Sequence, residues 1–412
     1  MTCRGKIHQA IFVLVFCQFV TAFSALGIPP FFPLFLEKAF HSQNDNPQAF
    51  FAGVLFVLPT FFSAITSPIW GNISDRFGKK ALLIRAQIGL SLSFLVAGFS
   101  TTPLQFIVAL ILQGILGGTF SASKAYLATL VNGESFRHSL TLMEAAPRAA
   151  LVISPLIMGA LMKAESPLLI YRYLAVLPLF SAALTAGLPS DKRQLGPNKT
   201  EPILTSHIKQ NILVNPVSPH VVLALQFLFG LASVIASPYF SHTMRIKFPY
   251  LSTAQIGLLF GLPHFIYLAC AGPLSTKIHK SRFVETLIVT FIMQSIALIG
   301  QGLSETLWQI LLWRLLMGLS MTTSFICIHG LISNVTLPSQ AGGLFGWLES
   351  SIKFSVVFGG ILASFGYSQF GSRSLFFISA AAFIAPSIFL LYRTWFISKE
   401  RGQHETSSTV IN

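Results

Sequence analysis

Two acid–base pairs stand inside long apolar stretches of the sequence. Glu144 and Arg148 are one helical turn apart, and so are Glu349 and Lys353. Spacing of i, i+4 puts both members on one helix face and lets them pair. Lys124, Arg314 and His264 also lie in apolar surroundings, and Gln18 is the most polar interior residue of the first apolar stretch. A carboxylate in such a setting can take up and release protons near neutral pH, which makes Glu144 and Glu349 candidates for proton coupling. His264 is a third candidate, because imidazole titrates in the useful range; a hydrogen-bonded packing role is the alternative. Arg148 and Arg314 are suited to grip an acidic group bidentately, with Lys124 and Lys353 as point charges and Gln18 beside them. Four cations against two carboxylates leave an excess that an anionic substrate would neutralise. The alternative is a buried structural ion pair in each half.

These charges are informative because of what surrounds them. Of 412 residues, 53% are hydrophobic and only 10% charged, and the mean hydropathy is +0.69. A soluble domain carries about 25% charged residues, so lipid is the solvent this composition fits. A charge at the centre of a span costs about 2.5–3.5 kcal/mol on insertion scales, so each needs a reason. The net charge of +14 is not a nucleic-acid footprint, since the basic residues sit in short loops between apolar segments. The four cysteines show no paired spacing and imply neither a disulfide framework nor a metal site. No P-loop, zinc-ligand cluster, HExxH or nucleophile elbow occurs, so neither enzymatic chemistry nor ATP-driven pumping has support, and no catalytic residue, metal or cofactor is expected.

Twelve apolar stretches follow, near 9–36, 49–72, 81–100, 103–126, 138–162, 169–188, 217–241, 253–275, 284–303, 306–330, 340–366 and 373–397. Each is long enough to span a bilayer, which needs about 20 residues. The polar stretch 189–216 divides them six and six. The expected layout is a bundle over 1–188, a cytoplasmic linker over 189–216, a second bundle over 217–397 and a disordered tail over 398–412. With a cytoplasmic N-terminus, 17 of the 27 Lys and Arg residues fall inside, six outside and four within spans. That bias puts both termini in the cytoplasm. Pro29, Pro30 and Pro33 are expected to end or kink the first span.

The halves repeat. GVLFVLPTF at 53–61 matches GLLFGLPHF at 257–265 in six of nine positions, offset by 204, and Gly114 corresponds to Gly318 at the same offset. Glu144 and Arg148 map onto Glu349 and Lys353 at an offset of 205. Repeated halves are a signature of secondary transporters that work around a site near the bilayer midplane.

Between the second and third stretches runs Gly71-Asn-Ile-Ser-Asp75-Arg76-Phe-Gly78-Lys79-Lys80. Gly78 can supply the backbone of a tight turn, and Asp75 can face the positive end of a neighbouring helix. This loop resembles the signature of the major facilitator superfamily, and residues 50–130 are similar to its drug:proton antiporter branch. The resemblance implies an all-α polytopic fold of twelve transmembrane helices in two pseudo-symmetric six-helix bundles, with a cavity lined by spans 1, 4, 7 and 10. It also implies that Gly71, Asp75, Arg76, Gly78 and Lys79 form a conformational latch; a purely topological role for the charges is the alternative. Departures are clear. The branch's Arg-x-x-Gln-Gly is met by Leu110-Ile-Leu-Gln113-Gly114, and the Arg survives only as Arg314 in the second half. The antiporter motif is reduced to Ala150-x-x-x-Ser154-Pro155-x-x-x-Gly159, whose small residues still permit close helix packing.

The expected function is secondary transport by alternating access in the cytoplasmic membrane, most simply efflux of small organic molecules, drug-like or anionic, in exchange for protons by a monomer. The alternatives are a dedicated exporter of a polycarboxylate metabolite such as a siderophore, an importer of an organic anion or sugar, and a receptor on a transporter scaffold.

Overall fold

The computed structural model describes residues 3–26, 28, 45–164, 167–191 and 218–409. Among these there is no strand. The helices are α1 (Cys3–Leu26), α2 (Asp45–Phe77), α3 (Lys79–Gly98), α4 (Pro103–Leu116), α5 (Thr119–Leu130), α6 (Gly133–Ala164), α7 (Pro167–Ala186), α8 (Pro219–Ile235), α9 (Phe240–Lys247), α10 (Thr253–Lys277), α11 (Phe283–Leu303), α12 (Leu307–Val335), α13 (Ala341–Phe370) and α14 (Ser374–Thr409). Taking α4 with α5, and α8 with α9, as broken single spans gives twelve membrane-length segments. Ten of them are long and apolar enough to cross a bilayer. The other two are α2 and α6, and α6 carries Glu144 and Arg148 in its middle.

Polarity is distributed as lipid requires. Large apolar side chains such as Phe12, Ile69, Leu92, Val176, Trp308 and Ile361 are exposed, while Gln18, Arg148, Gln294, Arg314 and Glu349 are buried. Hydroxyls inside the helices donate back to their own carbonyls, as Thr21 does to Cys17 and Thr322 to Gly318. Others tie helices together: Ser91 donates to the Ala175 carbonyl and Ser295 to that of Ala380. Without water in the hydrocarbon region, such bonds hold helix against helix.

Contacts divide the chain into two compact units, Met1–Gln194 with Thr336–Val357, and Leu195–Val335 with Phe358–Asn412. In the first unit α3 packs on α7, α4 and α5, while α1 packs on α6 and α7. Its core holds Phe94, Phe106 and Tyr171 edge to face. In the second, α11 packs on α12 and α14, and α10 on α12, around Phe229, Phe291, Phe325 and Phe383.

The duplicated residues meet each other in the same way in each unit. A Cβ on Gly114 would lie 2.6 Å from the Pro59 carbonyl oxygen and 2.8 Å from Phe62 Cβ. A Cβ on Gly318 would lie 3.0 Å from both Pro263 Cα and Ile266 Cβ. Pro59 and Phe62 are the counterparts of Pro263 and Ile266 at the same offset of 204.

Arg85 lies inside α3, and Arg245 and Lys247 belong to the last turn of α9. The last helix, α14, runs on to Thr409, into the stretch expected as a disordered tail, since extending an existing helix needs no new nucleus. Pro29, Pro30, Pro33 and the stretch 192–217 fall outside the described residues.

Because Gly114 and Gly318 face backbone that cannot move aside, Gly114→Val and Gly318→Val should each lower stability by about 1–3 kcal/mol through overpacking. Thermal unfolding in detergent checks this, and unchanged midpoints would contradict it.

Candidate functional site

The polar centre of the first unit is built on α1, α2, α5, α6 and the first part of α13. Glu144 on α6 holds two cations. One carboxylate oxygen pairs with the Lys124 ammonium from α5. The other receives Arg148 Nη1 at 3.0 Å, and the same nitrogen donates to the Glu144 carbonyl at 2.7 Å. On α13, Glu349 pairs with Lys353 at 3.2 Å, and the Lys353 ammonium also donates to the Ser63 hydroxyl of α2. Glu349 also lies within electrostatic reach of Lys124, so the two pairs are neighbours in one run of charge. The i, i+4 pairs read from the sequence are therefore both formed, and Lys124 is the member that links them.

Gln18 sits against this chain. Its Oε1 accepts from Ser123 at 2.6 Å and its Nε2 donates to the Met143 carbonyl at 3.4 Å, so it ties α1 to the residues that precede Lys124 and Glu144. The four ionised side chains Lys124, Glu144, Glu349 and Lys353 keep 10–17% of their surface accessible. That accessible edge is what a ligand or a proton needs. Three cations and two carboxylates leave these five side chains with one surplus positive charge. Buried pairs of this kind lose about 3–5 kcal/mol when one partner is removed, because the other charge is stranded.

A second constellation lies along α2 and α13. Asp75 Oδ1 accepts from the Gly342 amide at 2.9 Å and Oδ2 from the Gly343 amide at 2.7 Å, at the start of α13. Lys79 Nζ stands 3.0 Å from the same carboxylate. The first amides of a helix have no internal acceptor and carry its positive dipole end, so a carboxylate there is doubly favoured. Small residues let the two helices touch. A Cβ on Gly71 would collide with the Gly342 carbonyl, and one on Gly346 would fall 2.5 Å from the Ser67 carbonyl oxygen. Farther along, Ser350 donates to the Ala64 carbonyl at 2.6 Å. The line ends at Lys353 and Ser63, so the Asp75 contact and the ion chain share one helix pair. Gly78 turns the chain at φ +101°, and the Lys79 amide donates to Asp191 at 2.5 Å. Arg76 is exposed.

The Major Facilitator Superfamily profile matches residues 14–300 and 222–409. The chain belongs to the Major Facilitator Superfamily. It is 24% identical over 390 residues to the multidrug resistance protein MdtG of Proteus mirabilis, covering 90% of this chain and 92% of that one. The MdtG of Salmonella schwarzengrund is equally similar, 24% over 379 residues with the same coverage. Relatives of that name agree with the drug:proton antiporter resemblance of the signature loop. Among solved structures, the human organic anion transporter MFSD10 (TETRAN) aligns with a TM-score of 0.75 at 18% identity, over 93% of this chain and 99% of that chain. The proton:xylose symporter XylE aligns at 0.76 and 13%, over 95% and 96%. The chain is thus a multi-pass membrane transporter of this superfamily and not an enzyme.

The remaining candidates lie elsewhere. Arg314 belongs to the second unit and is spent on backbone. Its Nε donates to the Leu259 carbonyl at 2.9 Å, Nη2 to the Phe260 carbonyl, and Nη1 points at Met317 Sδ at 3.9 Å. Pro263 has no N–H, so the Leu259 carbonyl has lost its helical donor, and Arg314 supplies one. Its guanidinium also lies 4.3 Å over the Phe240 ring. His264 is half-buried beside Phe260, and Ala150 and Ser154 are buried, Ser154 donating to the Ala150 carbonyl at 2.7 Å. Pro155 and Gly159 fall outside the residues whose side chains are described. No cluster of metal-ligating side chains occurs among the described residues. Sequence reasoning missed the Gly342-x-x-x-Gly346-x-x-x-Ser350 stripe, which its small-residue period would have revealed.

A double-mutant cycle on Glu349→Ala and Lys353→Ala tests the chain of charge. The single losses should exceed what additivity allows, with a coupling of about 0.5–3 kcal/mol in thermal unfolding. Additive losses would contradict direct pairing.

Proposed function

We propose that this superfamily member is a secondary active transporter that exports small organic molecules, drug-like or anionic, in exchange for protons by alternating access. It works as a monomer in the cytoplasmic membrane, with both termini and the 189–216 linker in the cytoplasm and two six-helix bundles over 1–188 and 217–397. The observation that carries the reading is the chain Arg148–Glu144–Lys124–Glu349–Lys353, five ionised groups in segments where each one is costly.

In this reading Glu144 and Glu349 carry the proton, while Lys124, Arg148 and Lys353 hold the acidic part of the cargo. Gln18 orients that wall by fixing Ser123 and Met143. Asp75 and Lys79 are the latch that holds the start of α13 against α2, with Gly71 and Gly78 allowing the close approach and the turn. The multidrug name of the sequence relatives supports efflux over uptake. A dedicated exporter of a polycarboxylate such as a siderophore is the second reading, favoured by the surplus cation of the chain.

Purified protein in liposomes decides between transport and a non-transport role. Glu144→Gln or Glu349→Gln should abolish the pH dependence of flux, and unchanged dependence in both would remove them as coupling groups. Arg148→Ala should weaken anionic cargo far more than neutral cargo; equal loss for both would point to folding damage instead.

A further inference from the structure

Lys124 meets Glu144 because the span that carries it is broken. α4 ends at Leu116, Gly117 takes φ −63° and ψ −144°, Gly118 takes φ +94°, and α5 restarts at Thr119. A positive φ at Gly118 excludes most side chains, and a Cβ on Gly117 would lie 2.6 Å from the Gln113 carbonyl oxygen. Such a break frees the last carbonyls of α4, which in lipid have no water to bond.

The carbonyls around the break are met by side chains from α2 and α3. Trp70 Nε1 donates to the Ile115 carbonyl at 2.7 Å, and the Thr66 hydroxyl, which donates to the Phe62 carbonyl at 2.9 Å, also lies 3.3 Å from that of Gly114. Arg85 Nη1 donates to the Leu116 carbonyl at 3.0 Å and Nη2 to that of Gly117 at 3.4 Å. The Arg85 guanidinium lies 3.5 Å over the Trp70 ring, which fixes its plane. Beyond the break, α5 directs Ser123 to Gln18 and Lys124 to Glu144.

We propose that Arg85, seated on Trp70, is a positioning residue that stabilises the break at Gly117–Gly118 and thereby aims Lys124 at Glu144. The role needs a planar fork with two parallel donors, which arginine has and lysine lacks. Without it, the Leu116 and Gly117 carbonyls regain partners only if α4 and α5 shift toward a continuous helix, which turns Ser123 and Lys124 away from their acceptors. The importance of this for transport rests on the reading of Lys124 and Glu144 as the site. The geometry itself does not.

The test uses the full chain in lipid nanodiscs with Cys3, Cys17, Cys270 and Cys327 replaced by serine. Ser123→Cys is the reporter and N-ethylmaleimide the probe, because position 123 is buried against Gln18. Arg85→Ala should speed labelling on the order of tenfold, the worth of lost hydrogen bonds from a charged donor. Arg85→Lys should restore only part of the protection. Trp70→Phe, which keeps the ring and loses the N–H, should fall between the two. A second reporter, Ser91→Cys on α3 and buried against Ala175, should stay slow in every background. Unchanged labelling at 123 in Arg85→Ala would overturn the proposal, as would equal acceleration at 123 and 91, which means general loosening. Labelling does not depend on flux, so a failed transport assignment for Glu144 would leave this result standing on its own.

Discussion

A charge inside a membrane segment persists only when something in the protein answers it. That constraint organises the first unit. Glu144 answers Lys124 and Arg148, Glu349 answers Lys353, and the electrostatic reach of Glu349 to Lys124 makes the set one object. Lys124 reaches from α5 to Glu144 on α6, and Lys353 reaches from α13 to Ser63 on α2, so these contacts also tie helix to helix within the unit. The same ionised groups hold the unit's centre together, so a change of charge at any of them is felt by the packing.

Two other cations, buried Arg314 and half-buried Arg85, bond to backbone. Arg314 supplies the donor that Pro263 withholds from Leu259, and Arg85 supplies two donors where the glycine break frees Leu116 and Gly117. In both cases a helix loses a backbone hydrogen bond, at a proline or at a break, and a guanidinium from a neighbouring helix supplies a donor. The cations thus differ in partner: Lys124, Arg148 and Lys353 meet carboxylates, whereas Arg314 and Arg85 meet carbonyls. The two halves differ here, since the position equivalent to Arg314 is Leu110 and the first half instead carries its guanidinium on α3.

Much of this was legible in the sequence. The helical class followed from composition, and the i, i+4 pairs followed from helix geometry and are both present. The matched Gly114/Gly318 and Pro59/Pro263 revealed a contact that recurs in each unit, since tight backbone approach leaves little freedom in residue type. Asp75 was expected at the positive end of a helix, and it is there, but nothing local indicated that its amide partner, Gly342, stands 267 residues later. For the same reason Lys124's link to Glu349, and the duties of Arg85 and Arg314, could not be read: their partners are carbonyls or charges set by tertiary packing. The helical tail escaped notice because polar composition says little about whether an existing helix stops.

The attachment of α13 to α2 supports both the Asp75 contact and the Lys353 end of the charge chain. Hydrogen exchange at the Gly342 and Gly343 amides tests it most directly. Slow exchange there, as slow as in the body of α13 and lost in Asp75→Ala, is the predicted result. Exchange at the rate of a free helix terminus in the unaltered protein would contradict it.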